Sequence, residues 1–146
     1  MPTTTSVRAR ERFARARVAR LATVGAGGRP HLVPVVFALT GDTVATAVDH
    51  KPKRSQRLRR LDNIRANPAV CLLVDGYNED WDVLWWARAD GTARVLPPAD
   101  ESAASAAYVR LLADKYAAQY ADRPPTGPVV EIAVDRWSGW QATDTT

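Results

Sequence analysis

Between residues 51 and 65 the chain reads Lys-Pro-Lys-Arg-Ser-Gln-Arg-Leu-Arg-Arg-Leu-Asp-Asn-Ile-Arg, its densest run of cations. Leu58, Leu61 and Ile64 recur every three residues, which predicts a helix with one apolar face. Ser55 is the expected N-cap, and Asn67-Pro68 the expected end, because a residue before proline is pushed out of the helical region. Lys53, Arg54, Arg57 and Arg60 then fall at the start of the helix or on its other face. A helix N-terminus presents unpaired N–H groups and the positive end of the dipole, so cations added there favour a phosphate or carboxylate. The same pattern also fits a solvated charged face, and the surrounding segments must decide between the two.

Other chemistry is sparse. His31 and His50 stand in no ligand-like spacing, so no metal site is expected, and His31, at a strand start, is expected at the surface. No Gly-x-Ser-x-Gly elbow is present. Gly25-Ala-Gly-Gly28 follows a strand but leads into another, so it reads as a hairpin turn rather than a phosphate cradle. With no conspicuous catalytic side chain, an enzyme of this sequence would rely on a bound cofactor. The five tryptophans are the remaining candidates. Trp85 and Trp86 are adjacent, so on a strand one can fill the core while the other lines a pocket or subunit interface. Trp137 and Trp140 are candidates for closing over a flat ligand, with core packing the alternative for each.

These residues need elements to position them. Residues 6–17 predict an amphipathic helix facing inward through Ala9, Phe13 and Ala16. Strands are expected over 18–24, 31–39 and 43–48, joined by short turns as an antiparallel meander. Further strands are expected over 70–74, 84–88 and 91–96, with a bulge or bend at Ala89-Asp90-Gly91. Asp100 and Glu101 are expected to open a helix with Ala104, Tyr108, Leu111, Leu112 and Tyr116 along one face. A last strand over 129–134 is followed by Trp137 and Trp140. Six or seven strands with three helices make a mainly β fold with helices, a closed or split β-barrel, in one domain over 1–146.

A net charge of +4 implies attraction to anions. Nucleic acid is disfavoured, because bases in such sites stack on aromatics and none occurs from Lys51 through Val74. The single cysteine, Cys71, excludes an internal disulfide and reads as a small buried hydrophobe in a core strand. No apolar stretch is long enough to cross a bilayer, and the arginine-rich start lacks the apolar core of a signal peptide. A soluble cytoplasmic protein without membrane partners is the expectation.

Several short motifs, each weak alone, occur together from about Val18 to Thr143. They are Arg20-Leu-Ala-Thr-Val24, Gly28-Arg-Pro-His-Leu-Val-Pro-Val-Val-Phe37, Asp49-His-Lys-Pro-Lys53, Arg60-Leu-Asp-Asn-Ile64, Asn67-Pro68, Asp80-Trp-Asp-Val-Leu-Trp-Trp86 and Gly91-Thr-Ala-Arg94. In this order the chain resembles the split β-barrel oxidoreductases related to pyridoxamine 5'-phosphate oxidase. Within them it resembles the actinobacterial branch of probable F420-dependent enzymes. The resemblance implies a homodimer with cofactor sites at the subunit interface. It implies a flavin-type ring against the strand holding Pro34, Val35 and Val36, and a phosphate near Lys51, Lys53 and Arg54. Many relatives place a Lys about three residues before the Asn of an Asn-Leu/Ile pair, whereas Arg60 stands there in this chain. F420 carries a tail of several carboxylates, which suits the surplus of arginines at 57, 59, 60 and 65 better than the single phosphate of FMN does. The activity implied is hydride transfer between reduced deazaflavin and a small electrophilic organic substrate. FMN-dependent chemistry on the same fold and a non-catalytic F420 carrier are the alternatives.

Overall fold

The computed structural model describes residues 3–49 and 58–143. The chain opens with helix α1, Ser6–Arg15, whose N-cap Thr5 accepts a hydrogen bond from the Arg8 amide at 3.1 Å. Its inward face buries Ala9 and Phe13, as their spacing predicts. Strands β1 (Ala19–Val24) and β2 (Pro30–Val35) form a hairpin around the glycine turn, and β3 (Ala38–Thr40) and β4 (Thr43–Ala47) form a second. Helix α2, Arg59–Ala66, follows, then β5 (Ala69–Gly76), a 3-10 turn over Trp81–Val83 and β6 (Trp85–Leu96). Helices α3 (Ala103–Lys115) and α4 (Ala117–Tyr120) precede the long last strand β7, Val129–Gln141.

All seven described strands form one antiparallel sheet in the order β2-β1-β5-β6-β7-β4-β3. Strands β2 and β3 are consecutive in the chain yet lie at opposite edges, with only Val36 and Phe37 between them. The sheet must therefore curl until its edges meet, which is the split β-barrel anticipated above. The continuous strand expected over 31–39 is corrected to two strands for this reason: the residues cross from one edge to the other. Tyr116 holds the crossing. Its hydroxyl accepts from the Phe37 amide at 3.2 Å and lies 3.1 Å from the Phe37 carbonyl and 3.0 Å from that of Arg17. A buried strand break would otherwise orphan these backbone groups.

The core fills the barrel with Leu21, Val35, Phe37, Val44, Leu72, Val74, Ala87, Ala89 and Ile132, closed at one end by Phe13 of α1. Helix α2 is anchored by a buried pair, Asn63 Nδ2 donating to Thr23 Oγ1 at 3.0 Å. This approach needs Gly25, where a Cβ would stand 2.5 Å from Asn63 Oδ1. The helix starts at Arg59 with Leu58 as an extended cap that makes no side-chain cap bond, later than the sequence suggested. The expected cap, Ser55, lies outside the described residues. In α3 the cap is Ser102, which accepts from the Ser105 amide, rather than Asp100 or Glu101. The helix is tied to the sheet where Tyr108 donates to Glu131 at 2.6 Å while Arg94 meets the other carboxylate oxygen. Burial and this carboxylate push the Tyr108 hydroxyl up to about 12.

Two expectations along the sheet change. The strands expected over 84–88 and 91–96 are one strand, β6, and the irregularity expected at 89–91 is present as a register shift between Asp90 and Gly91 that leaves Asp135 as the extra residue of a bulge in β7. Strand β7 itself extends to Gln141, so Trp137 and Trp140 lie within it rather than beyond it. Cys71 is half-buried on the outward side of β5, because alternation sends Val70, Leu72 and Val74 inward. Burial pushes its thiol pKa up, with Asp90 adding to the effect. No helix among the described residues is long and apolar enough to cross a membrane. No group of three or more His, Cys, Asp or Glu able to hold a metal ion is found among them.

Candidate cofactor site

The strand break at Val36 creates the first cleft. Crossing between edges turns Val36 out of the barrel while Val35 stays in the core and Pro34 is exposed on the edge strand. Val36 then lines a cleft of about 410 Å3 with Arg17, Asp49, Tyr116, Gln119 and Tyr120. Its walls come from the connection before β1, the end of β4 and the α3–α4 corner. Tyr120 donates to Asp49 Oδ1 at 2.6 Å, and its hydroxyl pKa is raised by burial and then by this carboxylate. Arg17 lies 4.6 Å over the Tyr116 ring and donates to the Lys115 carbonyl at 3.1 Å. Lys115 places its ammonium 3.9 Å over the Phe37 ring with no acceptor among the described residues, and burial followed by repulsion from Arg17 lowers its pKa to about 8.

The chain leaves the described part just after Asp49, a lining residue of this cleft, and returns at Leu58. Lys51, Lys53, Arg54 and Arg57 lie outside the described residues. Arg60 is described: it is half-buried on α2, and burial lowers its pKa while the Asp49 carboxylate opposes that shift. Of the residues singled out from the sequence, Val36 and Arg60 are thus associated with the same carboxylate, Asp49. The cleft residues Arg17, Tyr116, Gln119 and Tyr120 were missed by sequence reasoning. Their only signal was the spacing of two tyrosines four apart at a helix end, and that pattern also describes an ordinary buried face.

The tryptophans lie elsewhere. Trp137 and Trp140 are three apart on one strand and therefore cannot share a face. Trp137 packs edge-to-face on Phe13, 5.3 Å between centroids, and donates to Asp42 Oδ1 at 3.0 Å, sealing the barrel end beneath α1. Trp140 points outward, opposite Trp86 in the register. Together with Leu73, Asp75, Tyr77 and Arg88 they line a second cleft of about 320 Å3 on the outer face of the sheet. Of the adjacent pair, Trp85 packs against the barrel core and also reaches the edge of the outer cleft, while Trp86 lines that cleft without packing against the core. The Trp140 indole N–H is shielded from solvent and finds no acceptor among the described residues.

The geometry has known counterparts. A FAD-binding protein from Mesorhizobium loti superposes with a TM-score of 0.70 at 20% identity, covering 97% of this chain and 96% of that one. A conserved protein from Mycobacterium tuberculosis superposes with a TM-score of 0.72 at 18% identity, covering 98% and 91%. These likenesses show the fold. In sequence, the chain is 37% identical over 79 residues to a 5a,11a-dehydrotetracycline/5a,11a-dehydrooxytetracycline reductase of Streptomyces rimosus, an alignment covering 53% of this chain and 54% of the relative. The chain thus spans about half the length of the curated relative it matches. The family model for pyridoxamine 5'-phosphate oxidase matches residues 7–141, from the first turn of α1 to the end of β7. With that match spanning every strand of the split barrel, the chain belongs to the pyridoxamine 5'-phosphate oxidase family.

Proposed function

We propose that this protein is an F420-dependent oxidoreductase that works as a homodimer, with the Val36 cleft holding the ring of the cofactor. The observation that carries the reading is the position of that cleft, whose wall includes Asp49 at the start of the basic segment and whose carboxylate also acts on Arg60. An apolar strand edge beside hydroxyls and cations fits a flat, polyanionic cofactor. Val36 would support the ring, with Pro34 and Val35 fixing the strand behind it. Lys51, Lys53, Arg54, Arg57 and Arg60 would hold the phosphate and the carboxylate tail. The outward Trp86 and Trp140 would cover the site from the partner subunit. Trp137 is engaged in its own barrel and would act only by holding β7. When bound, F420 supplies the hydride; the protein's part is to orient the ring, exclude water and admit a small electrophilic organic substrate. The name of the Streptomyces rimosus relative supports reduction as the reaction class.

Binding measurements test this directly. F420 should bind more tightly than FMN, and its affinity should fall as salt rises, because tail contacts are screened. Replacing Lys53 with Ala should weaken F420 by roughly ten- to a hundredfold, the loss of one charge-assisted contact. Turnover at saturating cofactor should change much less, since Lys53 would not touch the reacting atom. Equal or tighter FMN binding sinks the deazaflavin assignment and favours the flavin reading suggested by the FAD-binding fold neighbour. Tight F420 binding with no turnover across a panel of enones and quinones would leave a carrier.

A further inference from the structure

Five arginines stand between residues 8 and 17, and the fold employs them unequally. Arg10 donates to the Gly41 carbonyl and pairs with Asp42 at 3.5 Å. Arg17 is committed to the Lys115 carbonyl and the Tyr116 ring. Arg8, Arg12 and Arg15, spaced along one side of α1, have no ion-pair partner among the described residues. They converge with Glu11 and Trp85 on a cleft of about 290 Å3. Arg8 and Arg12 also face a smaller cleft of about 190 Å3 that contains Asp82, Gln141 and Thr143.

Arg12 is the organising residue. Its guanidinium lies 4.8 Å over the Trp85 ring, and Nη2 donates to Gln141 Oε1 at 3.2 Å. Nη1 is shielded from solvent and meets no acceptor among the described residues. Stacking and the Gln141 bond fix the plane of the guanidinium and hold its charge against the wall of the cleft. Burial and the nearby Arg8 charge both disfavour the cation, whose pKa is lowered accordingly. A helix that places like charges at i, i+4 against a half-buried aromatic surface gains stability when an anion joins them.

We propose that the α1 arginine cleft is a binding site for a small dianionic phosphate monoester. Three guanidiniums outnumber the carboxylate of Glu11 in this cleft, and they still outnumber the acids when Asp82 of the smaller cleft is included, so the site favours an anion. Three peripheral oxygens match the donor forks of Arg8, Arg12 and Arg15. Trp85 and Ala16 give the organic part of the ester an apolar wall. This site shares no lining residue with the Val36 cleft, so it would accept its ligand independently of the cofactor.

The test is a titration of the full chain with inorganic phosphate and with phenyl phosphate at constant ionic strength. Tryptophan indole N–H signals are followed by NMR, and Trp85→Phe assigns the relevant one. The expected result is a saturable shift at Trp85, tighter for phenyl phosphate, with apparent affinity about tenfold weaker in Arg12→Gln and in Arg8→Gln. Arg8 is exposed, so its variant keeps the test valid if Arg12→Gln does not fold. Arg110→Gln, on the exposed side of α3, should bind as wild type. Lys53→Ala should also leave this titration unchanged while weakening F420, which separates failure here from failure of the cofactor assignment. The proposal is overturned by an absent Trp85 shift, by an equal shift with chloride alone, or by unchanged binding in both arginine variants. A response to a single-stranded oligonucleotide but to neither phosphate would overturn it too, in favour of a nucleic-acid contact.

Discussion

At the β2–β3 crossing, every tyrosine hydroxyl is used. Tyr116 serves the Phe37 and Arg17 backbone, and Tyr120 holds Asp49, while Thr46 donates to the Val36 carbonyl at 2.7 Å. On the outer face of β6 and β7, the Trp140 indole N–H and the Ser138 hydroxyl are shielded from solvent yet have no partner among the described residues. Large apolar side chains accumulate near that face as well: Leu73, Tyr77 and Trp81 are all exposed. The crossing's hydroxyls are all engaged, though the Lys115 ammonium over the Phe37 ring has no acceptor among the described residues; the outer face leaves an indole N–H and a hydroxyl unmatched beside exposed apolar side chains. One region is a joint cross-linked by hydrogen bonds that carries the cleft; the other is an apolar face, the surface on which the proposed homodimer would form.

The largest effect should come from breaking the joint. Tyr116→Phe removes the partner of the buried Phe37 N–H and should cost about 2–3 kcal/mol in urea unfolding. Cofactor affinity should drop with it, because Val36 is no longer held. A loss below 0.5 kcal/mol would mean the crossing is fixed by its strands alone. On the outer face, Trp86→Ala and Trp140→Ala should instead act on assembly, weakening self-association by roughly tenfold or more in sedimentation while the unfolding midpoint of the monomer hardly moves. A wild-type protein that sediments as a monomer at micromolar concentration would erase the distinction.

A pH experiment sharpens the comparison from the joint's side. The folded pKa of Lys115 is lowered from 10.5 to about 8, so the unfolded chain binds more protons between those values and stability rises with pH across that window. Below about 8 the penalty is fully present. Lys115→Met should therefore stabilise the protein near pH 7 by on the order of 1 kcal/mol, after discounting for a half-exposed group. The advantage should shrink toward pH 10, as the Lys115 penalty is relieved. Parallel thermal melts of wild type and variant at pH 7, 8.5 and 10 provide the check, and a constant difference would remove Lys115 as the cause. The smallest effect is expected at Trp137→Phe, which keeps the packing on Phe13 and loses only the bond to Asp42. A cost of about 0.5–1.5 kcal/mol with unchanged F420 affinity fits a packing residue. A selective loss of affinity would return Trp137 to the cofactor site.

Much of this was legible along the chain because its signals are local. Alternation placed β1, β4 and β5 within a residue or two, the Asn67-Pro68 stop ended α2, and the spacing of Ala9 and Phe13 named the buried face of α1. Adjacent tryptophans had to face opposite ways, and they do. Errors arose where a local pattern had more than one spatial solution. Residues 31–39 read as one strand because alternation does not record which neighbour each half pairs with. Cys71 sat in an apolar run whose phase, set by Val70 and Leu72, sends the thiol outward.

By itself, then, the sequence determined the antiparallel hairpins, the inward face of α1 and the anion-seeking surplus of arginine, since each follows from spacing or charge within a few residues; the face of α3 turned out differently, with Ser105 and Val109 buried and Ala104 and Leu111 exposed. Tertiary structure alone decided that the chain crosses from one sheet edge to the other at Val36, that Tyr116 from far along the chain satisfies that break, and that Trp137 and Trp140 part company. It also decided which arginines of α1 are spent on carbonyls and which remain facing a cleft. Those outcomes depend on closure of the barrel, which brings together groups far apart in the chain, such as Tyr116 and Arg17, 99 positions apart. No local pattern encodes the meeting, because it is set by the pairing of all seven strands at once.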